Sequence, residues 1–190
     1  MRQNGDTMKK KLTTLILGFF MLITLAVPQL HATATPAQKD ISSVDIMFLH
    51  DTHSHLDTFT TVEGTKSVSM GGFARIKTLI NEQKAKNPDT LLLDAGDFAM
   101  GTLVQVVYEE EAAELRMLGE LGIEATTLGN HEFDYKAKGL ANMLHTAVNS
   151  GDTLPSLVMC NVDWENMNLK GLTADQQMLW ESFENCGVKD

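Results

Sequence analysis

Four short apolar runs punctuate the chain, and each stops where polar chemistry begins. Val44 to Leu49 gives way to His50-Asp51-Thr52-His53-Ser54-His55, and Thr90 to Leu93 to Asp94-Ala95-Gly96-Asp97. Ile123 to Leu128 gives way to Gly129-Asn130-His131-Glu132, and Leu154 to Met159 to Cys160-Asn161-Val162-Asp163. Short runs that are apolar nearly throughout read as strands of a sheet buried on both faces. Between them the apolar period changes. Phe73, Ile76, Leu79 and Ile80 mark a helix closed by Asn87-Pro88. Val104, Val107, Tyr108, Leu115, Leu118 and Leu121 mark one longer helix stopped by Gly122, and Leu140, Met143, Leu144, Ala147 and Val148 mark a third before Asn149-Ser150-Gly151. Strand and helix in alternation predict βαβ units around a largely parallel sheet, an α/β fold. Loops after the strand C-termini of such a sheet converge on one edge, so the polar clusters are expected to meet in space.

Ahead of this pattern lies a different one. Lys9-Lys10-Lys11 precede an apolar run from Leu12 to Val27, Pro28 ends it, and Ala32-Thr33-Ala34 follows. A basic n-region, an apolar h-region and a small-residue site are the marks of an export signal. The alternative, a retained membrane anchor, needs about 20 apolar residues, and this run is shorter. Residues 1–34 are therefore expected to be a signal peptide cleaved after Ala34, and 35–43 a polar linker. Residues 44–190 then form the folded part, secreted or held in the cell envelope, with membrane contact only during export.

Composition narrows the classes. Acidic residues number 25 against 15 basic ones, a net charge of −10, which argues against a nucleic-acid polymer as partner because polyanions attract basic surface. Hydrophobic residues at 43% and charged residues at 21% are a globular balance. Cys160 and Cys186 are too few for a disulfide framework and are open to pairing or to separate burial.

Pooled, the strand-end clusters offer Asp51, His53, Asp97, Asn130 and His131, with Asp134 one turn later. Carboxylates, imidazole and a carboxamide oxygen are donors suited to Zn, Mn, Fe or Mg rather than to Cu(I) or an iron–sulfur cluster. One Asp can bridge two ions about 3.5–4 Å apart, the spacing of two-metal phosphoryl chemistry. Each cluster alone is weak evidence, since loop histidines and Gly-Asp turns are common. Three of them, each at a strand end, are not readily coincidental.

Asp51-Thr52-His53, Gly96-Asp97 and Gly129-Asn130-His131-Glu132 resemble the D-x-H, G-D and G-N-H-E blocks of the calcineurin-like metallophosphoesterases. Gly71-Gly72-Phe73-Ala74-Arg75, Asp94-Ala95-Gly96-Asp97 with Gly101-Thr102, and Phe133-Asp134-Tyr135 are similar to the secreted 5′-nucleotidase and 2′,3′-cyclic-nucleotide phosphodiesterase branch. The resemblance implies the N-terminal portion of an αββα sandwich and two divalent ions (Mn, Zn, Fe, Co or Mg). It implies a nucleotide or other small phosphate ester as substrate, hydrolysed by metal-activated water. Asp51 and His53 would hold one ion, Asp97 would bridge, and Asn130 would bind the second. His131, oriented by Asp134, would contact the phosphoryl group as the catalytic pair, while Glu132 would serve behind the ligands and Asn161 would line the site.

The pattern departs from the family in its later half. The family's further histidine ligands have no counterpart here, because only His145 follows His131 and it falls within the third helix pattern. The chain is accordingly read as an N-terminal part. Three alternatives stand beside nucleotide hydrolysis: an inactive fragment with residual metal binding, a cyclic-nucleotide phosphodiesterase and a nucleotide-sugar hydrolase. His50, His55, Trp164, Trp180 and the Glu109-Glu110-Glu111 run are expected to be loop, packing and solvated-face residues.

Overall fold

The computed structural model describes residues 43–166 and 168–188. The expected signal peptide and nearly all of the linker lie outside the described residues. No described helix is long and apolar enough to cross a membrane.

Four parallel strands form the main sheet in the order β1 (Ile46–Leu49), β4 (Leu91–Asp94), β5 (Ala125–Thr126), β6 (Ser156–Leu157). Ile46 to Leu49 pair in register with Leu91 to Asp94, Leu93 with Ala125, and Thr126 with Leu157. All four apolar runs thus become strands, but the last two keep only two paired residues each. Helices α1 (Phe73–Lys86), α3 (Ala113–Leu121) and α4 (Lys136–Asn149) fill the intervals.

Side chains alternate across a strand, and burial here follows that alternation. Met47, Leu49 and Leu92 face a core shared with Phe73 and Ile80 of α1, Leu115, Leu118 and Leu121 of α3, and Leu140, Met143, Leu144 and Ala147 of α4. On the opposite face Ile46 and Phe48 are 55% and 57% exposed, so the sheet is not buried on both faces as its apolar runs predict. Leu79 and Val148, both assigned to buried helix faces by periodicity, are also exposed.

The expected single helix over Val104–Leu121 is broken. A 3₁₀ turn (Leu103–Val107) and a one-turn helix α2 (Tyr108–Glu111) precede α3, because Ala112 adopts a left-handed backbone at φ 47°. Ala112 is completely buried, so this left-handed break lies inside the core. Glu109 also departs from the solvated-face reading: it is half-buried and its carboxylate accepts the Asn142 amide at 2.6 Å. Gly122 ends α3 at φ 90°, as its position predicts.

Two elements lie outside the sequence expectations. A hairpin joins β2 (Phe59–Glu63) to β3 (Lys66–Met70) across Gly64-Thr65. Helix α5 (Ala174–Cys186) packs on α4, with a capping box in which the Thr173 side chain accepts the Gln176 N–H and the Gln176 side chain accepts the Thr173 N–H. Phe183 and Trp164 pack edge to face at 5.9 Å and Trp164 lies 5.5 Å from Trp180, so both tryptophans are packing residues. His145 is exposed on α4, and both cysteines are thiols.

Candidate metal centre

The loops that leave β1 and β4 stay hydrogen-bonded after the strands end. Asp51 N–H donates to Gly96 O at 3.1 Å, His53 N–H to Asp97 O at 3.1 Å and Ser54 N–H to Phe98 O at 2.8 Å. Asp51, His53, Ser54 and Asp97 hold left-handed backbone, with φ of 50°, 44°, 55° and 52°. Such a conformation costs a non-glycine residue about 1–3 kcal/mol and persists only where the surroundings impose it. Two glycines let the loops close: a Cβ on Gly129 would collide with Asp97 Oδ1, and one on Gly101 with the His53 carbonyl.

This folding brings three side chains together. A ring nitrogen of His53, a ring nitrogen of His131 and a carboxylate oxygen of Asp97 lie within 4.8 Å of one another. The two imidazoles meet edge to face at 4.9 Å. His53 Nδ1–H donates to the carbonyls of Ala99 at 3.3 Å and Met100 at 3.2 Å, which leaves Nε2 as the free lone pair. That Nε2 lies 3.6 Å from Asp51 Oδ1, so Asp51 borders the cluster. The other Asp51 oxygen is hydrogen-bonded to His50 Nδ1 at 2.6 Å, which holds the Asp51 carboxyl below the usual carboxylate range.

His131 is oriented from behind. Its Nδ1–H donates to Asp134 Oδ2 at 2.8 Å, and this bond raises the imidazole above its ordinary pKa. Its backbone N–H donates to Asp97 Oδ1 at 3.0 Å. Asn130 stands against the same aspartate. With its amide nitrogen toward Asp97 it donates to Oδ2 at 3.2 Å while its oxygen accepts His131 N–H at 3.3 Å.

Glu132 is fully buried and binds loops rather than ligands. Oε2 accepts the Asp97 N–H at 3.1 Å and the Gly129 N–H at 2.6 Å, and Oε1 accepts the Ala99 N–H at 2.9 Å. Burial pushes this carboxyl up, and the three backbone donors pull it back. The Tyr108 hydroxyl donates to the Glu132 carbonyl at 2.9 Å. Asp94 closes the base of the site: Oδ2 accepts Thr126 Oγ1–H at 2.5 Å and Gly96 N–H at 3.0 Å, and burial raises its pKa. Sequence reasoning did not single out Ser54, Tyr108 or Thr126 for these inner bonds. Asn161 is exposed in the turn after β6, and the His55 ring bonds locally to Thr52 O and lies edge-on to Phe59 at 6.1 Å.

The donor set fits a divalent cation. It combines imidazole with carboxylate and carboxamide oxygen, the mixture that Zn, Mn, Fe and Mg accept. Asn130, beside Asp97, supplies the carboxamide oxygen of that set.

Comparison with known proteins finds a matching family and several similar chains. The family model described as calcineurin-like phosphoesterase matches residues 45–183. The 5′-nucleotidase of Rattus norvegicus is 41% identical over 104 residues, covering 52% of this chain and 18% of that protein. The NAD 5′-nucleotidase of Haemophilus influenzae is 31% identical over 142 residues, covering 72% of this chain and 23% of that protein. The crystal structure of a 5′-nucleotidase precursor from Thermus thermophilus superposes with a TM-score of 0.52 at 31% identity, covering 60% of this chain and 21% of the other. The chain thus spans about a fifth of the length of these relatives.

Proposed function

The chain belongs to the calcineurin-like phosphoesterase family, and on that premise we propose that it is the metal-binding part of a phosphoric-ester hydrolase acting on nucleotides. The observation that carries this reading is the meeting of His53, Asp97 and His131 within 4.8 Å, from three loops far apart in sequence. Nucleotide substrates are the choice that the named relatives favour.

Asp51 and His53 would hold one divalent ion, Asp97 would bridge to a second, and Asn130 would offer its side-chain oxygen to that second ion. When bound, the ions supply Lewis acidity toward the phosphoryl oxygens and a more acidic attacking water. The chain's own contribution is geometric and electrostatic. His53 is held by two backbone carbonyls so that Nε2 faces the cluster. His131 keeps its Nδ1 proton on Asp134, so that Nε2–H of the imidazolium is available to a phosphoryl oxygen gaining charge. Asp134 makes that protonated form easier to hold.

Residues 1–34 are proposed as a cleaved export signal and 35–43 as a tether, which would place the reaction outside the cytoplasm. Protein sequencing of the exported material should begin at Thr35; retention of Lys9 to Val27 would refute cleavage.

The decisive experiment measures Mn²⁺ binding and phosphate release from AMP by the full chain, beside Asp97→Asn and His131→Ala. Two bound ions and turnover lost in both variants are expected. Absence of metal binding in the unmodified chain would overturn the proposal. Metal binding without turnover would instead support a second reading, a metal-binding chain that does not hydrolyse AMP alone.

A further inference from the structure

One buried acid takes no part in the chemistry proposed above. Glu114 stands in the first turn of α3 and is 1% exposed. Its Oε1 accepts the Ser54 hydroxyl at 2.6 Å, across a sequence separation of 60 residues. Its Oε2 is buried with no hydrogen-bond partner among the described residues. Packing alone does not account for such a residue, because an apolar side chain of similar volume would fill the space without an unpartnered oxygen.

The other end of the bond explains what the acid is for. Ser54 follows His53 directly, is fully buried and shares its left-handed backbone. Besides the local Leu56 N–H to its carbonyl, three bonds clamp it: its N–H donates to Phe98 O at 2.8 Å, its carbonyl accepts the Thr102 hydroxyl at 2.7 Å, and its own hydroxyl donates to Glu114. The first two bind the β1 loop to the β4 loop that carries Asp97. The third alone ties it to α3, on the far side of the Ala112 break. Two consecutive left-handed non-glycine residues relax toward ordinary backbone unless restrained, and rotation at Ser54 would carry the His53 imidazole away from Asp97.

We propose that Glu114 and Ser54 are a positioning pair for His53, which hold the β1 loop in its left-handed turn and thereby set the imidazole toward the metal centre. The inference rests on the metal-centre reading. It predicts a separation of effects: loss of the bond weakens metal binding while leaving the core intact.

The test uses the full chain with Mn²⁺ alone, titrated by the electron paramagnetic resonance of free ion, and with Co²⁺ alone, followed by visible absorption. Glu114→Met should lower Mn²⁺ affinity by about tenfold to a hundredfold, the range for residues that orient metal ligands, and shift the Co²⁺ bands. Its melting temperature should equal or exceed that of the unmodified chain. Glu114→Gln, which keeps an acceptor for Ser54, should bind within about threefold of the unmodified chain. Ser54→Ala should match Glu114→Met, and the double variant should be no worse than either, since both remove one bond. If Glu114→Met fails to fold, Ser54→Ala against Glu114→Gln carries the same comparison. Unchanged affinity and Co²⁺ spectrum in Ser54→Ala, or additive losses in the double variant, would overturn the pair. Failure of the unmodified chain to bind Mn²⁺ would instead overturn the metal-centre reading.

Discussion

Glu132 accepts the backbone N–H of Asp97 at 3.1 Å, although 35 residues separate them. The bond places the G-N-H-E turn directly beneath the aspartate it must face, and the same carboxyl holds Gly129 and Ala99. A short acid inside the motif is therefore a clasp for three backbone donors. Strand order puts the loops side by side, and Glu132 sets their spacing.

Glu132→Gln leaves one of its two acceptor oxygens replaced by an amide that faces N–H groups. A buried unsatisfied donor costs about 1–3 kcal/mol, so urea unfolding should report a loss of that size. Glu132→Ala should lose more. A change below about 0.5 kcal/mol, the scale of inconsequential surface substitutions, would show that the clasp is idle.

The His131–Asp134 pair predicts a pH signature in the metal-free chain. The bond to Asp134 raises the folded imidazole above its ordinary value. A raised histidine contributes stability fully below its unfolded pKa and loses it as pH rises through the folded pKa. Proton NMR of the His131 ring should therefore titrate above pH 6.5, the ordinary value. Asp134→Asn should lower that midpoint, and an unmoved midpoint would separate the two residues.

Gly129→Ala addresses the closeness of the loops. The added Cβ would collide with Asp97 Oδ1, and Gly129 backbone must stay near to reach Glu132. Core helices lie outside this contact, so the circular dichroism spectrum should persist while Mn²⁺ affinity falls by about tenfold or more, as for other displaced ligands. Unchanged affinity would mean that Asp97 does not face this turn.

The two thiols should behave differently. Cys160 is exposed, whereas Cys186 is half-buried on α5 and burial pushes its thiol up to about 11. Thiolate is the reactive form, so at neutral pH a maleimide should label Cys160 promptly and Cys186 only after denaturation. Mass spectrometry of the labelled peptides decides the matter, and equal labelling rates would contradict the burial of Cys186.

Much of the site was open to reading because its chemistry lies at the ends of apolar runs. Asp51, His53, Asp97, Asn130, His131 and Asp134 stand in short motifs whose donor types suit a cation and whose resemblance to the metallophosphoesterases implies a phosphoryl group, and the parallel order β1-β4-β5-β6 brings their loops to one edge. The β2–β3 hairpin escaped because both strands are mostly exposed and Phe59–Glu63 carries no alternation, although Val68 and Met70 alternate with Ser67 and Ser69 after the Gly64-Thr65 turn. Helix α5 did carry local signs, the Thr173-x-x-Gln176 box and the apolar spacing of Leu179, Phe183 and Cys186.

What the sequence determined by itself is the alternation of strands and helices and the chemical identity of the loops, since both follow from local pattern: period, caps and residue type. Tertiary structure alone decided the break at Ala112, the exposed face of Ile46 and Phe48, and the bonds Ser54–Glu114 and Asp97–Glu132. Those depend on which surfaces meet after folding. A left-handed alanine, an apolar strand face or a buried acid has no signature in its neighbours along the chain, because the atoms that stabilise or leave it bare arrive from dozens of residues away.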